Sequence, residues 1–100
     1  MEMYEQLYDE TERVNVRFIG ITTENVRYDF GIMYTNMFFG KPLITCMQTG
    51  RSFLMCAEDA KDIEHLRKVF KLTDHKEAEA ISEFLAVTLP YTSLEVQYNE

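Results

Sequence analysis

The chain has 100 residues and carries 17 acidic against 10 basic side chains, a net charge of −7. With 46% apolar and 13% aromatic residues it can fill one core, which excludes a disordered chain and points to a single domain over residues 1–100. The acidic balance argues against duplex nucleic acid as a partner, because such binding draws on a dominant basic surface. No apolar run reaches membrane-spanning length, and the start Met1-Glu2-Met3-Tyr4-Glu5 lacks the basic and apolar regions of a secretory signal. Two cysteines are too few for a disulfide framework, so the expected compartment is the reducing cytoplasm.

Residues 1–12 hold five acidic side chains and no basic one. Tyr4, Leu7 and Tyr8 are spaced three and four apart, which fits either a short docked helix or a frayed acidic terminus. Val14, Val16 and Phe18 then alternate with polar residues. Tyr28, Phe30, Ile32 and Tyr34 do the same, so the two runs read as a hairpin around residues 23–26. A three-residue loop, Glu24-Asn25-Val26, with Asn25 left-handed, sets Phe18 opposite Ile32 and Val16 opposite Tyr34. That register unites the apolar residues on one face, and it is preferred for that reason. A two-residue loop sets Phe18 opposite Gly31 and splits the set.

Gly40 and Pro42 mark a turn. Leu43 to Thr49 and Ser52 to Ala57 read as two further strands joined at Gly50-Arg51. The chain then turns helical. Ile63, Leu66 and Phe70 define one amphipathic helix from Glu58 to Phe70, with His65 facing solvent. Ala78, Ile81, Phe84, Leu85 and Leu89 define a second, opened by an Asp74–Glu77 capping box and stopped by Pro90. Leu94, Val96 and Tyr98 alternate as a short edge strand or an extended tail would. The expected fold is α+β: a four-stranded antiparallel meander with two helices on one face.

The runs Tyr28-Asp29-Phe30-Gly31, Tyr34 through Pro42, Cys46-Met47-Gln48-Thr49-Gly50-Arg51-Ser52 and the ending Gln97-Tyr98-Asn99-Glu100 resemble a family of short, uncharacterised cytosolic proteins of low-GC Gram-positive bacteria, a domain of unknown function. The resemblance implies a bacterial cytoplasmic protein of one domain. It carries over no activity, ligand or catalytic residue.

Phosphate-binding loops, nucleophile elbows and H-E-x-x-H are missing from the sequence. Cys46, Cys56, His65 and His75 are too widely spaced for a structural zinc site, so no metal and no cofactor are expected. The preferred reading is a non-enzymatic interaction module. In the preferred register the uncovered sheet face carries Arg17, Ile19, Ile21, Arg27 and Met33, a mixture suited to a second copy of the chain or to an acidic protein. One alternative is an anionic-ligand sensor built from Arg27, Phe39, Lys41 and Arg51 near the turns. Here Phe39 would be the outward ring of the Phe38-Phe39 pair, although both rings packed under the helices is the favoured reading. Another is a thiol switch or enzyme using Cys46 and Cys56, which face each other across the hairpin if its loop centres on Arg51.

Overall fold

The computed structural model describes residues 3–91; the C-terminal alternation at Leu94, Val96 and Tyr98 lies outside them. Strands β1 (Asn15–Thr22), β2 (Arg27–Tyr34), β3 (Leu43–Cys46) and β4 (Arg51–Leu54) precede helices α1 (Ala57–Ala60), α2 (Ile63–Phe70) and α3 (His75–Thr88). The sheet is antiparallel in the order β1-β2-β3-β4. This is the expected α+β meander, with three helices rather than two.

The single helix expected over Glu58–Phe70 is broken at Lys61-Asp62. Asp62 has extended backbone angles, and its side chain accepts a hydrogen bond from the His65 backbone N–H, so it caps a new helix. α2 ends in a left-handed Lys71, and the Leu72 N–H reaches back to the Arg67 carbonyl at 2.9 Å. In α3, Asp74 caps the Lys76 N–H, while the Glu77 side chain accepts from the Thr23 hydroxyl at 2.8 Å. A tertiary contact thus replaces the expected reciprocal capping box.

The core lies between the helices and one sheet face. Phe30 stacks on Phe84 and meets Phe70 edge-on, with Ile32, Ile44, Met55, Leu66, Ile81 and Leu85 buried around it. The Ser82 hydroxyl donates to the Ala60 carbonyl at 2.6 Å, tying α3 to α1. His65 is half-buried and packs edge-on against Phe53 rather than facing solvent.

The β1–β2 register differs from the preferred one by a residue. Phe18 lies opposite Gly31, Ile19 opposite Phe30 and Ile21 opposite Tyr28. Thr23 supplies the reason: its backbone N–H bonds the Val26 carbonyl at 2.8 Å, and its hydroxyl oxygen accepts from the Asn25 and Val26 N–H groups. This side-chain-closed turn needs no left-handed residue, and Asn25 is not in that conformation. The tight turn slips β1 by one position, which exchanges its two faces.

The β3–β4 register also shifts. Cys46 pairs with Arg51, because the strands end earlier and residues 47–50 form the turn, with Gly50 at φ 72°. The cysteines therefore do not face each other. Residues 5–14 form neither helix nor strand, and Tyr4, Leu7 and Tyr8 stay exposed, so of the two readings of this segment the docked helix is not seen.

Candidate functional site

The helices cover one sheet face, and the other is defined by alternation. It carries Val16, Phe18 and Gly20 of β1, Arg27, Asp29, Gly31 and Met33 of β2, Leu43 and Thr45 of β3, and Ser52 and Leu54 of β4. Val16, Phe18, Met33 and Met47 are exposed there, Phe18 by 75%. Gly31 sits beneath them. A Cβ at that position would lie 3.0 Å from the Met47 methyl carbon and 3.4 Å from the Phe18 ring, so glycine lets both side chains lie down on the sheet.

The face is graded from end to end. At the β1–β2 turn end, Asp29 accepts from the Arg27 guanidinium at 3.1 Å and from the Gln48 amide at 2.7 Å. These two donors hold its carboxyl below the usual carboxylate range. The centre is an apolar hollow of about 190 Å³ bounded by Phe18, Met33 and Met47. Beside it Thr45 and Ser52 share a cross-strand hydroxyl hydrogen bond of 2.7 Å. The far end opens into a hollow of about 430 Å³ lined by Val14, Met33, Phe38, Leu43 and Leu54. Met33 and Leu43 line both hollows, so the apolar surface is continuous.

One wall of that far hollow is residues 10–14. They are fastened by Glu12, whose carboxylate accepts from the Thr35 hydroxyl and, at 2.8 Å, from the Asn36 N–H. These hydrogen bonds lower its pKa. The opposite wall includes Phe38. Phe38, Phe39 and Gly40 take consecutive positive φ values of 52°, 64° and 75°. Left-handed backbone is costly for phenylalanine, about 1–2 kcal/mol per residue, and it lifts both rings to the surface. The expected packing of Phe38 and Phe39 under the helices is therefore replaced by an exposed aromatic turn at the rim of the hollow.

The sequence-derived residues divide as follows. Arg27 and Met33 are on the open face. Ile19 and Ile21 pack against the core from the helix side, and Arg17, on that same side, donates to the Tyr34 hydroxyl at 3.3 Å. The exchange follows from the one-residue slip of β1. By the same slip Val16 and Phe18, expected on the other face, lie on the open one; the signal for them is the two-residue-loop register, together with Thr23 as a turn-closing side chain.

The proposed anion-binding group is split between the two ends of the sheet. Arg27 and Arg51 lie at the β1–β2 turn end, with Arg27 paired to Asp29. Phe39 and Lys41 lie at the other end, with Lys41 bonded to Asp59 at 3.0 Å. Cys46 and Cys56 are both buried, and the Cys56 thiol donates to Asp59 at 3.3 Å. Burial denies them the solvent access that a reactive thiol uses. Among the described residues, no three of His, Cys, Asp and Glu cluster as ligands of a metal ion, and no helix is long and apolar enough to cross a membrane.

Against known families, residues 7–87 match the SAV0927-like family. The chain belongs to the SAV0927-like family. The match takes in the segment from Leu7 to the end of the far wall as well as the sheet and nearly all of α3. No curated protein matches the chain.

Proposed function

We propose that this SAV0927-like chain is a non-enzymatic interaction module whose open sheet face binds a second copy across a two-fold axis. The observation that supports the reading is the continuous apolar strip from Phe18 and Met47 through Met33 to Phe38, exposed in a protein of high net charge. An exposed apolar patch rimmed by polar groups marks an interaction surface. Methionine and aromatic residues are the types enriched in such interfaces. The face is self-complementary in character, apolar at its centre with the Arg27–Asp29 pair at one end and Glu12 at the other. A two-fold interface repeats one patch on both subunits.

Sedimentation equilibrium of the wild type and of Phe18→Glu tests this. The wild type should show a mass near twice 11.8 kDa, and Phe18→Glu should raise the dissociation constant by at least about thirtyfold, the effect of losing a central aromatic anchor. Phe18 is exposed, so the variant should stay folded and melt like the dissociated wild-type chain, below the dimer by the stability that association adds. Ile19→Glu is a poorer probe, because Ile19 packs on the core and its replacement reports folding. A wild type with single-chain mass at high concentration would contradict the proposal.

A further inference from the structure

A second hollow, of about 470 Å³, lies on the helix side of the sheet, between the β1–β2 turn and the start of α3. Its floor is apolar, made by Ile21, Ala80 and Phe84. Ile21 and Phe84 also pack on the core, so the fold fixes this floor. The volume lies within the range of small-molecule sites, about 300–1,000 Å³.

Glu77, in the first turn of α3, lines this hollow and is only 6% exposed. One of its carboxylate oxygens accepts from the Thr23 hydroxyl at 2.8 Å. The other accepts no hydrogen bond from the described residues and is not sealed in the core, so it opens to the hollow. One oxygen is enough to tie α3 to the turn. The second is a nearly buried acceptor still short of a donor, and a carboxylate withdrawn from water is costly until a cation or donor meets it. The surrounding charge has the same sign. Asp74 and Glu24 line the hollow too, while Lys76 is exposed at its edge and forms no ion pair with the described residues. The field reaches the neighbouring Tyr28 phenol, whose pKa is raised first by burial and then by the charges of Glu77, Cys46 and Asp74. Among the described residues no three ligating side chains converge on a metal ion, and the apolar floor suits a carbon skeleton.

We propose that this hollow binds a small organic ammonium ion, its apolar body on Ile21, Ala80 and Phe84 and its N–H donors on the second oxygen of Glu77. An ammonium group brings three donors and no acceptor, which matches a wall of carboxylates. A ligand bearing carboxylate or phosphate meets three like charges there. The site faces the helices, on the side of the sheet away from the dimer surface, so it stands or falls independently of that reading.

The probe is phenethylammonium chloride, with 2-phenylethanol and 3-phenylpropionate as its uncharged and anionic counterparts. Each is titrated into the full chain at fixed ionic strength and followed by amide NMR shifts. The proposal predicts saturable shifts at Thr23, Glu77 and Ala80 with phenethylammonium by about 10 mM, and binding of the other two weaker by at least about tenfold, the span of one charge-assisted hydrogen bond. Glu77→Gln keeps an acceptor for Thr23 and should weaken phenethylammonium by a similar factor. Ala80→Leu fills the half-buried floor without touching a charge and should weaken it as well, so the test survives a Glu77 variant that does not fold. Lys76→Ala removes the competing cation and should tighten binding. Equal binding of 2-phenylethanol overturns the proposal in favour of an apolar hollow with no charge preference. Preference for 3-phenylpropionate, unchanged binding to a folded Glu77→Gln chain, or no saturable shift with phenethylammonium by about 10 mM overturns it as well.

Discussion

Asp59 is the residue on which most local order converges. It accepts from the Cys56 backbone N–H and the Lys41 ammonium, both at 3.0 Å, and from the Cys56 thiol. Burial acts to raise its pKa, but these donors outweigh it and hold the carboxyl below its usual value; Asp59 in turn raises the pKa of Lys41. A carboxylate with a lowered folded pKa stabilises above its unfolded pKa, and that stability is lost as pH falls through the folded value. A lysine with a raised folded pKa stabilises below its unfolded pKa, and that is lost as pH rises through the folded value. The pair should therefore contribute evenly between about pH 5 and pH 9. Asp59→Asn should cost on the order of 1 kcal/mol in that window, a figure discounted for a pair one-third open to solvent. Urea melts from pH 2 to 7 should show the gap from wild type closing at the acid end; a gap constant down to pH 2 would remove Asp59 from this role.

Among the elements, α2 is bounded by two residues of opposite quality. Asp62 is a good N-cap, while Lys71 holds a left-handed position, φ 54° and ψ 50°, that glycine prefers. Its exposed side chain has no part in the turn that the Leu72 N–H closes on Arg67. Lys71→Gly should stabilise the fold by about 1 kcal/mol, seen as a melting temperature raised by several degrees in a chain of this size. An unchanged or lowered melting temperature would show that the lysine makes up the conformational cost elsewhere. The elements also show what the chain reveals unaided. Alternation of Tyr28, Phe30, Ile32 and Tyr34 locates β2 and its inward face, and the Ile81–Leu85–Leu89 spacing locates the inward stripe of α3. β1 carries apolar residues of both phases: Val16 and Phe18 in one, Ile19 and Ile21 in the other. Its phase is decided by the Thr23 turn and by the Thr23–Glu77 contact, between residues 54 positions apart, which periodicity does not record. Because β1 supplies Val16 and Phe18 to the apolar strip, that single ambiguity sets Ile19 and Ile21 on the expected surface and Phe18 off it.

At the scale of the whole molecule, the charge balance and the apolar strip belong together. The acidic side chains gather in the first twelve residues and the helices, and the sheet is locally basic. An apolar face on a strongly charged chain is the surface that the proposed self-association would use. The methionines permit a direct test of whether that face is covered in solution. Met33 and Met47 stand on it, and Met55 is fully buried in the core as an internal reference. Methyl signals of the methionines can be followed with a soluble paramagnetic probe as the protein is diluted. The account predicts that Met33 and Met47 are shielded like Met55 at high concentration and become broadened by the probe on dilution. Full broadening of Met33 and Met47 at every concentration, with Met55 alone protected, would contradict it.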